Sequence, residues 1–368
     1  MLESRKVQRV GSSTLVVSLP SRWVKKVGLK QGDLVFLNQE DDGSLRLIVS
    51  KQTIEKEPSI VEVDADLCED PNLLRRILSG IYVLGYYVIK VSSKTRLKKE
   101  QIDVIRKLTR ELIGIGIMEE THNQVVIECF IDVARFPIHT LVRRLYIIAS
   151  TIHKEAIDAF LESDISLAED AIYRKQEADT MFWIITRLLN ICQKDKSMIK
   201  TMKMENPMQV LWYQLTTHFL NLIAEWANKF ALKIIELGEN RERIGTQLLN
   251  EILELSKSSY SICHKAVASF FSSDINLANE VIETYSKIQK REEELQKRIC
   301  SHAYLHRKSF SVSKYFKGKE PIDPCMIAQI SFLIWSTRRI AELGSQIAKI
   351  AINKALCKNT KFVRKISQ

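Results

Sequence analysis

FLESDISLAEDAI at positions 160–172 returns as FFSSDINLANEVI at positions 270–282, a spacing of 110 residues. Phenylalanine, serine, aspartate, isoleucine, leucine, alanine and the final isoleucine coincide in register. A second echo joins Ile223-Ala224-Glu225 to Ile340-Ala341-Glu342. Self-similarity at a fixed period marks duplicated units, each with an apolar face that its copy closes. Asp164 and Asp274 stand where N-caps belong, offering a side-chain oxygen to the free amides of a first helical turn. Upstream, Pro137 suits a first turn, and Ile138, Leu141, Val142, Leu145, Ile148, Ile152, Ala156 and Phe160 follow at three- and four-residue steps. Five further helices are expected over about 165–193, 206–237, 241–272, 275–308 and 322–356, with Gly238 ending one. Residues 136–357 are therefore expected to form a six-helix bundle of two three-helix repeats.

The opening of the chain has another pattern. In RKVQRVGSSTLVVSLPSRWVKKVGLKQGDLVFL (5–37), Leu15, Val17 and Leu19 alternate with Val16 and Ser18 as a strand that Pro20 stops. Ser21 reads as the N-cap of a short helix from Arg22 to Val27, with Gly28 in the left-handed C-terminal position. Gln31-Gly32-Asp33 is a turn, Leu34 to Leu37 a strand, Asp41-Asp42-Gly43 a turn and Leu45 to Val49 a strand. So short a stretch, with few large apolar side chains, cannot close a sufficient core alone, whereas two interleaved copies could.

The polar segment KQTIEKEP (51–58) reads as a linker. Beyond it, residues 59–131 alternate strand and helix: Val61–Val63, Asn72–Leu84, Tyr86–Val91, Lys98–Leu112, Ile115–Glu119 and Val125–Phe130. The order β-α-β-α-β-β predicts a small α/β domain. Gly114-Ile115-Gly116 follows a helix rather than a strand, so it lacks the context of a dinucleotide loop. Sequence leaves the role of this domain open between spacer, dimer interface and small-ligand sensor.

The chain of 368 residues is long enough for two or three domains, and its formal charge is +11. The excess is local: residues 1–30 hold seven basic side chains against Glu3, a net of +6. Such a balance points to an anionic partner, nucleic acid before a membrane surface. Seven scattered cysteines without a C-x-x-C pair are expected to be reduced, buried thiols. MLESRKVQRV has no apolar core region for a signal peptide, and no apolar run reaches a membrane span, so a cytoplasmic protein is expected. No serine, cysteine or carboxylate stands with a neighbouring base in a recognisable frame, and no enzyme is expected. His302 and His306 lie one turn apart near Cys300, but Ala303, Tyr304 and Leu305 between them supply no glutamate, so neither a metal nor another cofactor is expected. The basic and aromatic stretch from Arg307 to Lys319 reads as a solvated connection, the basic tail Lys358–Lys365 as a frayed end, and the charge run Lys287–Glu294 as a solvated helix face.

The pattern P-S-x-W-x-x-x-x-G-L-x-x-G-D-x-V, residues 20–35, resembles the AbrB/SpoVT-like swapped-hairpin DNA-binding domains over about residues 4–50. That resemblance implies a homodimeric DNA-binding module over residues 1–50, with Arg5, Lys6, Arg9, Arg22, Lys25 and Lys26 facing DNA. A charge run is usually only a solvated face; here six of the seven fall on two short elements that the resemblance puts on one surface. Gly11-Ser12-Ser13-Thr14 departs from the K-G-Q-like turn of many members.

The doubled D-x-x-L-A phrase before a long helix resembles the PhoU domain, and the middle segment is similar to that of archaeal PhoU-type regulators. The resemblance implies a phosphate-responsive regulatory role without a reaction. PhoU-like helices often carry acidic pairs that hold metal, but the matching positions here are Lys175/Asp179 and Tyr285/Gln289, so no such cluster is expected, and Lys175 is expected to pair with Asp179 as an exposed contact.

The whole is similar to archaeal-type fusions of an AbrB-like head with PhoU-like helices: a transcriptional regulator of phosphate uptake or homeostasis, with DNA, its own second copy, and a phosphate transporter or signalling protein as expected partners. The alternative is an adaptor that docks on a transporter or kinase and uses the head only to dimerise. An antitoxin-like protein is a third reading, against which the long helical half argues.

Overall fold

A computed structural model describes residues 3–39, 43–49, 59–132, 135–195, 197–309, 315–317, 323–357, 360 and 362–363. Two compact units divide between Ser59 and Ile60. The residues expected to form the linker, 51–58, and Asp41 and Asp42 of the expected turn lie outside the described residues.

The first unit contains two separate antiparallel hairpins and one helix. Strands β1 (Gln8–Val10) and β2 (Thr14–Val16) pair with Arg9 opposite Leu15. β3 (Val35–Gln39) and β4 (Leu45–Val49) pair with Leu37 opposite Leu47. The strand expected to run to Leu19 stops at Val16, because within one chain Val17–Leu19 have no ladder to join. Helix α1 (Ser21–Val27) starts one residue earlier than expected: Pro20 precedes it at φ −59°, and Ser21 lies inside the first turn and caps nothing. Gly28 is left-handed at φ 65° as expected, and Leu29 N–H closes the end on Val24 O at 3.1 Å.

The second unit opens with the α/β segment. Strands β5 (Ile60–Asp64), β6 (Val88–Ser92), β7 (Ile115–Glu120) and β8 (Gln124–Cys129) form one sheet in the order β5-β6-β8-β7. β5 and β6 are parallel, joined through α2 (Pro71–Val83), and the remaining pairs are antiparallel. Along β8, Val125, Ile127 and Cys129 are buried while Gln124, Val126 and Glu128 are partly exposed, the period-two signature of a sheet covered on one face. The cover comes from Leu74, Leu78 and Tyr82 of α2 and from Ile105 and Leu108 of α3 (Lys99–Glu111).

The rest is helical: α4 (Ile138–Glu162), α5 (Ile165–Lys194), the short α6 (Ser197–Thr201), α7 (Met208–Leu237), α8 (Thr246–Ser272), α9 (Ile275–Ser309) and α10 (Pro324–Leu356). α4, α5 and α7 pack mutually, as do α8, α9 and α10; α10 also packs on α7, and α4 on α8. The chain is thus mainly α, with two three-helix repeats sharing a core.

The repeated phrase is now explained atom by atom. Ser163 and Ser273 sit left-handed at φ 59° and 58°, each ending one helix. Asp164 then caps α5 by accepting from Ser166 and Leu167 N–H, and Asp274 accepts from Leu277 N–H to start α9. Phe160 and Phe270, Ala168 and Ala278 are fully buried. Each repeat also ends on a cation that caps the phenylalanine carbonyl: Arg241 donates to Phe160 O at 2.7 Å and Lys354 to Phe270 O at 2.7 Å.

Candidate nucleic-acid interface

Arg5 and Lys6 lead into β1, Arg9 lies within it, and all are exposed. Arg5 Nη2 meets Glu3 Oε2 at 2.9 Å, and Arg9 Nη2 donates to Ser12 O at 2.5 Å across the β1–β2 turn. Both contacts are on the surface: the first is an ion pair of the kind that contributes about 0–1 kcal/mol, the second a hydrogen bond to a neutral carbonyl, and neither fixes its guanidinium against a phosphate. Arg22, Lys25 and Lys26 are exposed on α1, three and four residues apart, so they share one face of the helix. The expected cations therefore fall into two groups of three, one on the first arm and one on α1. Lys30 belongs to the next turn, where Asp33 Oδ2 accepts its N–H at 2.8 Å.

The same unit exposes its apolar side chains. Leu15 is 68 % exposed, Leu34 70 %, Leu37 65 % and Leu45 62 %. An isolated two-stranded hairpin is marginal in water, and contiguous exposed apolar surface marks an association site.

Elsewhere, candidate chemistry is engaged structurally. Lys175 is largely buried and bridges helices, bonding Asp179 on α5 and lying 3.5 Å from Glu225 Oε2 on α7. This corrects the expectation of an exposed pair: the ammonium points between α5 and α7 rather than along the α5 surface. In the second repeat Arg338 takes a related place, 3.5 Å from both Glu292 and Glu342. The glutamates of the two Ile-Ala-Glu echoes, Glu225 and Glu342, thus each hold a cation supplied by the chain. Among the described residues no group of three or more His, Cys, Asp or Glu side chains could hold a metal ion.

Glu292 is also the exception in the charge run Lys287–Glu294, which is not uniformly solvated, because this carboxylate is buried. The Arg307–Lys319 stretch differs from a solvated connection as well. Tyr315 and Phe316 are buried, Tyr315 O–H donates to Glu251 Oε1 at 3.1 Å, and His302 stacks on Tyr315 at 4.3 Å. Side chains 303–309, His306 among them, residues 310–314 and 318–319, and most of the 358–365 tail lie outside the described residues. All seven cysteines are free thiols, but only Cys68, Cys129, Cys192 and Cys263 are buried; Cys300, Cys325 and Cys357 are exposed, which corrects the expectation of burial for these three. Burial pushes the Cys192 and Cys263 thiols up to about 12 and His153 down to about 4, so these groups are neutral and inert near pH 7. Among the described residues no helix is long and apolar enough to cross a membrane.

Sequence reasoning missed Arg187, which is 1 % exposed in the middle of α5. It donates to Tyr82 O and, at 2.8 Å, to Tyr86 O. No periodic signal distinguishes such a buried cation, since it occupies an apolar position in the helical stripe.

Residues 8–56 match the family model described as antidote-toxin recognition MazE, bacterial antitoxin. No curated protein matches the chain. Among solved structures it is similar to PhoU from Pseudomonas aeruginosa, at 15% identity and a TM-score of 0.47, over 58% of this chain and 93% of that one. It is also similar to the phosphate transport system regulatory protein PhoU from Streptococcus pneumoniae, at 14% identity and a TM-score of 0.46, over 58% of this chain and 91% of that one. The chain therefore joins an N-terminal segment similar to antitoxins of the MazE type to a helical body structurally similar to PhoU proteins.

Proposed function

We propose that this protein is a non-enzymatic, DNA-binding transcriptional regulator of phosphate uptake or homeostasis that works as a homodimer through its first unit. The observation that carries the reading is the pairing, on one short unit, of six exposed cations with exposed apolar strands. A second copy laid on the apolar faces would double the cationic surface. Dimeric readers place two such surfaces on half-sites of one duplex, and phosphate neutralisation supplies most of the affinity. The match of residues 8–56 to an antitoxin-type family supports the assignment of this unit. The phosphate role rests on the doubled motif of the helical body, and the helices would bias the head between two states by binding an effector or partner such as a transporter or signalling protein.

The test is a gel-shift series with the full chain and its genomic sites, mapped with and without phosphate starvation. Replacing Arg9, Arg22 and Lys25 by alanine should weaken binding uniformly across sequences. With about 0.9 counterions released per phosphate contact, the slope of log K against log salt should flatten by roughly 3 per head. Unchanged affinity and slope would remove the head from DNA recognition, and a genomic map without sites near phosphate-responsive genes would remove the phosphate role.

A further inference from the structure

Between α2, α3 and α5 lies a cleft of about 740 Å³, within the range of small-molecule sites. We propose that it binds a mononucleotide, a flat ring carrying a phosphate, and that it does so independently of any function of the head.

The charges of the lining leave an anion to be supplied. Arg75 and Glu111 neutralise each other at 2.6 Å, and Asp179 is held by Lys175. Arg76 and Lys107 line the same cleft and, among the described residues, have no hydrogen-bond or ion-pair partner in the protein. A guanidinium and an ammonium facing one cavity suit phosphate oxygens, the first through a planar fork and the second as a point charge.

The apolar part of the lining suits a ring. Trp183 is half-buried and contributes flat π surface to the wall, where offset stacking adds to simple burial. The exposed amide of Gln176 supplies both donor and acceptor for the edge of a base.

Gly80 gives the independent sign. Inside a helix, glycine is about 1 kcal/mol worse than alanine, so it calls for a reason. At Gly344 the reason is packing, because an added Cβ would stand 2.7 Å from Ile262 Cγ2. At Gly80 nothing lies within 4 Å of where a Cβ would be, yet the residue lines the cleft. Its bareness keeps space open rather than letting two protein elements approach.

Location gives such a ligand leverage. α5, which forms one wall, also holds the end of α2 through Arg187, Asn190 and Lys194. A molecule seated here touches the α/β segment and the bundle together.

Isothermal titration calorimetry on the full chain, with AMP, GMP, UMP and CMP and with the matching nucleosides and ribose 5-phosphate, tests the idea. At least one mononucleotide should bind, with its nucleoside and ribose 5-phosphate weaker by about tenfold or more. The double variant Arg76→Gln/Lys107→Gln should lose about tenfold or more. Gly80→Met should abolish binding while leaving the melting temperature unchanged or raised, since methionine is the better helix former. The absence of heat with all four nucleotides at millimolar concentration overturns the assignment. So does equal affinity for ribose 5-phosphate or nucleoside, or undiminished binding to a folded Gly80→Met protein.

Discussion

At Gly344, in the middle of α10, a Cβ would fall 2.7 Å from Ile262 Cγ2 and 3.3 Å from Cys263 Sγ on α8. Small side chains line this seam: Ser259 Oγ donates to Thr337 O at 3.0 Å, and Cys263 Sγ to Ile340 O at 3.6 Å. The first repeat carries buried Ala227 two residues after its own Ile-Ala-Glu glutamate, where the second carries Gly344. Two glycines in helix interiors should therefore respond to alanine with opposite sign. Gly80→Ala should stabilise the chain by up to about 1 kcal/mol through helix propensity. Gly344→Ala gains the same propensity but forces Ile262 aside, and overpacking of about 1–3 kcal/mol should leave a net loss. Paired thermal melts check this, and a shift of the same sign for both would mean that the α8–α10 seam is looser than its distances.

At the scale of elements, the sequence made most of the helices legible, because each couples an apolar stripe to an identifiable start or stop. α5 was expected over about 165–193 and spans Ile165–Lys194, with Asp164 as the cap. Of the α/β segment, the strand and helix order was readable, but the sheet order β5-β6-β8-β7 depends on pairings that local pattern does not encode. The five-residue α6 was not anticipated, and no propensity could sustain it without its buried Ile199. Of the candidate interface, the six cations and their division between first strand and short helix came from the resemblance of residues 4–50 to AbrB/SpoVT-like domains, with local charge beside it, whereas their exposure required coordinates.

The grip of α5 on α2 was invisible for a related reason, since it joins a buried side chain to backbone about a hundred positions away. Helix α2 ends with carbonyls that have no intrahelical partner. Arg187 takes Tyr82 O and Tyr86 O, Asn190 takes Val83 O at 3.0 Å and Lys194 takes Leu84 O at 2.5 Å. The guanidinium also lies 4.9 Å from the centre of the Tyr82 ring. Arg187→Met keeps much of the volume but leaves Tyr86 O without its donor, at about 1–3 kcal/mol, while Tyr82 O keeps the Gly85 N–H at 3.0 Å. Denaturant titration should show a loss of about 1–3 kcal/mol, with faster amide exchange in residues 84–88 than in α8. A loss below about 1 kcal/mol would mean that water substitutes for the guanidinium at Tyr86 O.

For the whole molecule, the two units differ in how they are held. The second has a continuous buried core from the β5–β8 sheet through α10. The first has two ladders of three and five residue pairs, with β1 and β2 exposed throughout. A leucine that is already 65 % exposed, such as Leu37, tolerates a charge in a monomer, with changes usually within about 0.5 kcal/mol. In a dimer that buries it, Leu37→Asp must desolvate a carboxylate against apolar neighbours, which is prohibitive unless the interface opens. Sedimentation velocity and gel shift on the full-length variant separate the two cases. If the proposed DNA-binding dimer is right, the heads should part and DNA affinity should fall with them, even if the bundle still associates, because a single arm and helix would then grip half the phosphates. Wild-type sedimentation together with wild-type affinity would show that each head reads DNA alone, and the exposed strands would then require another occupant.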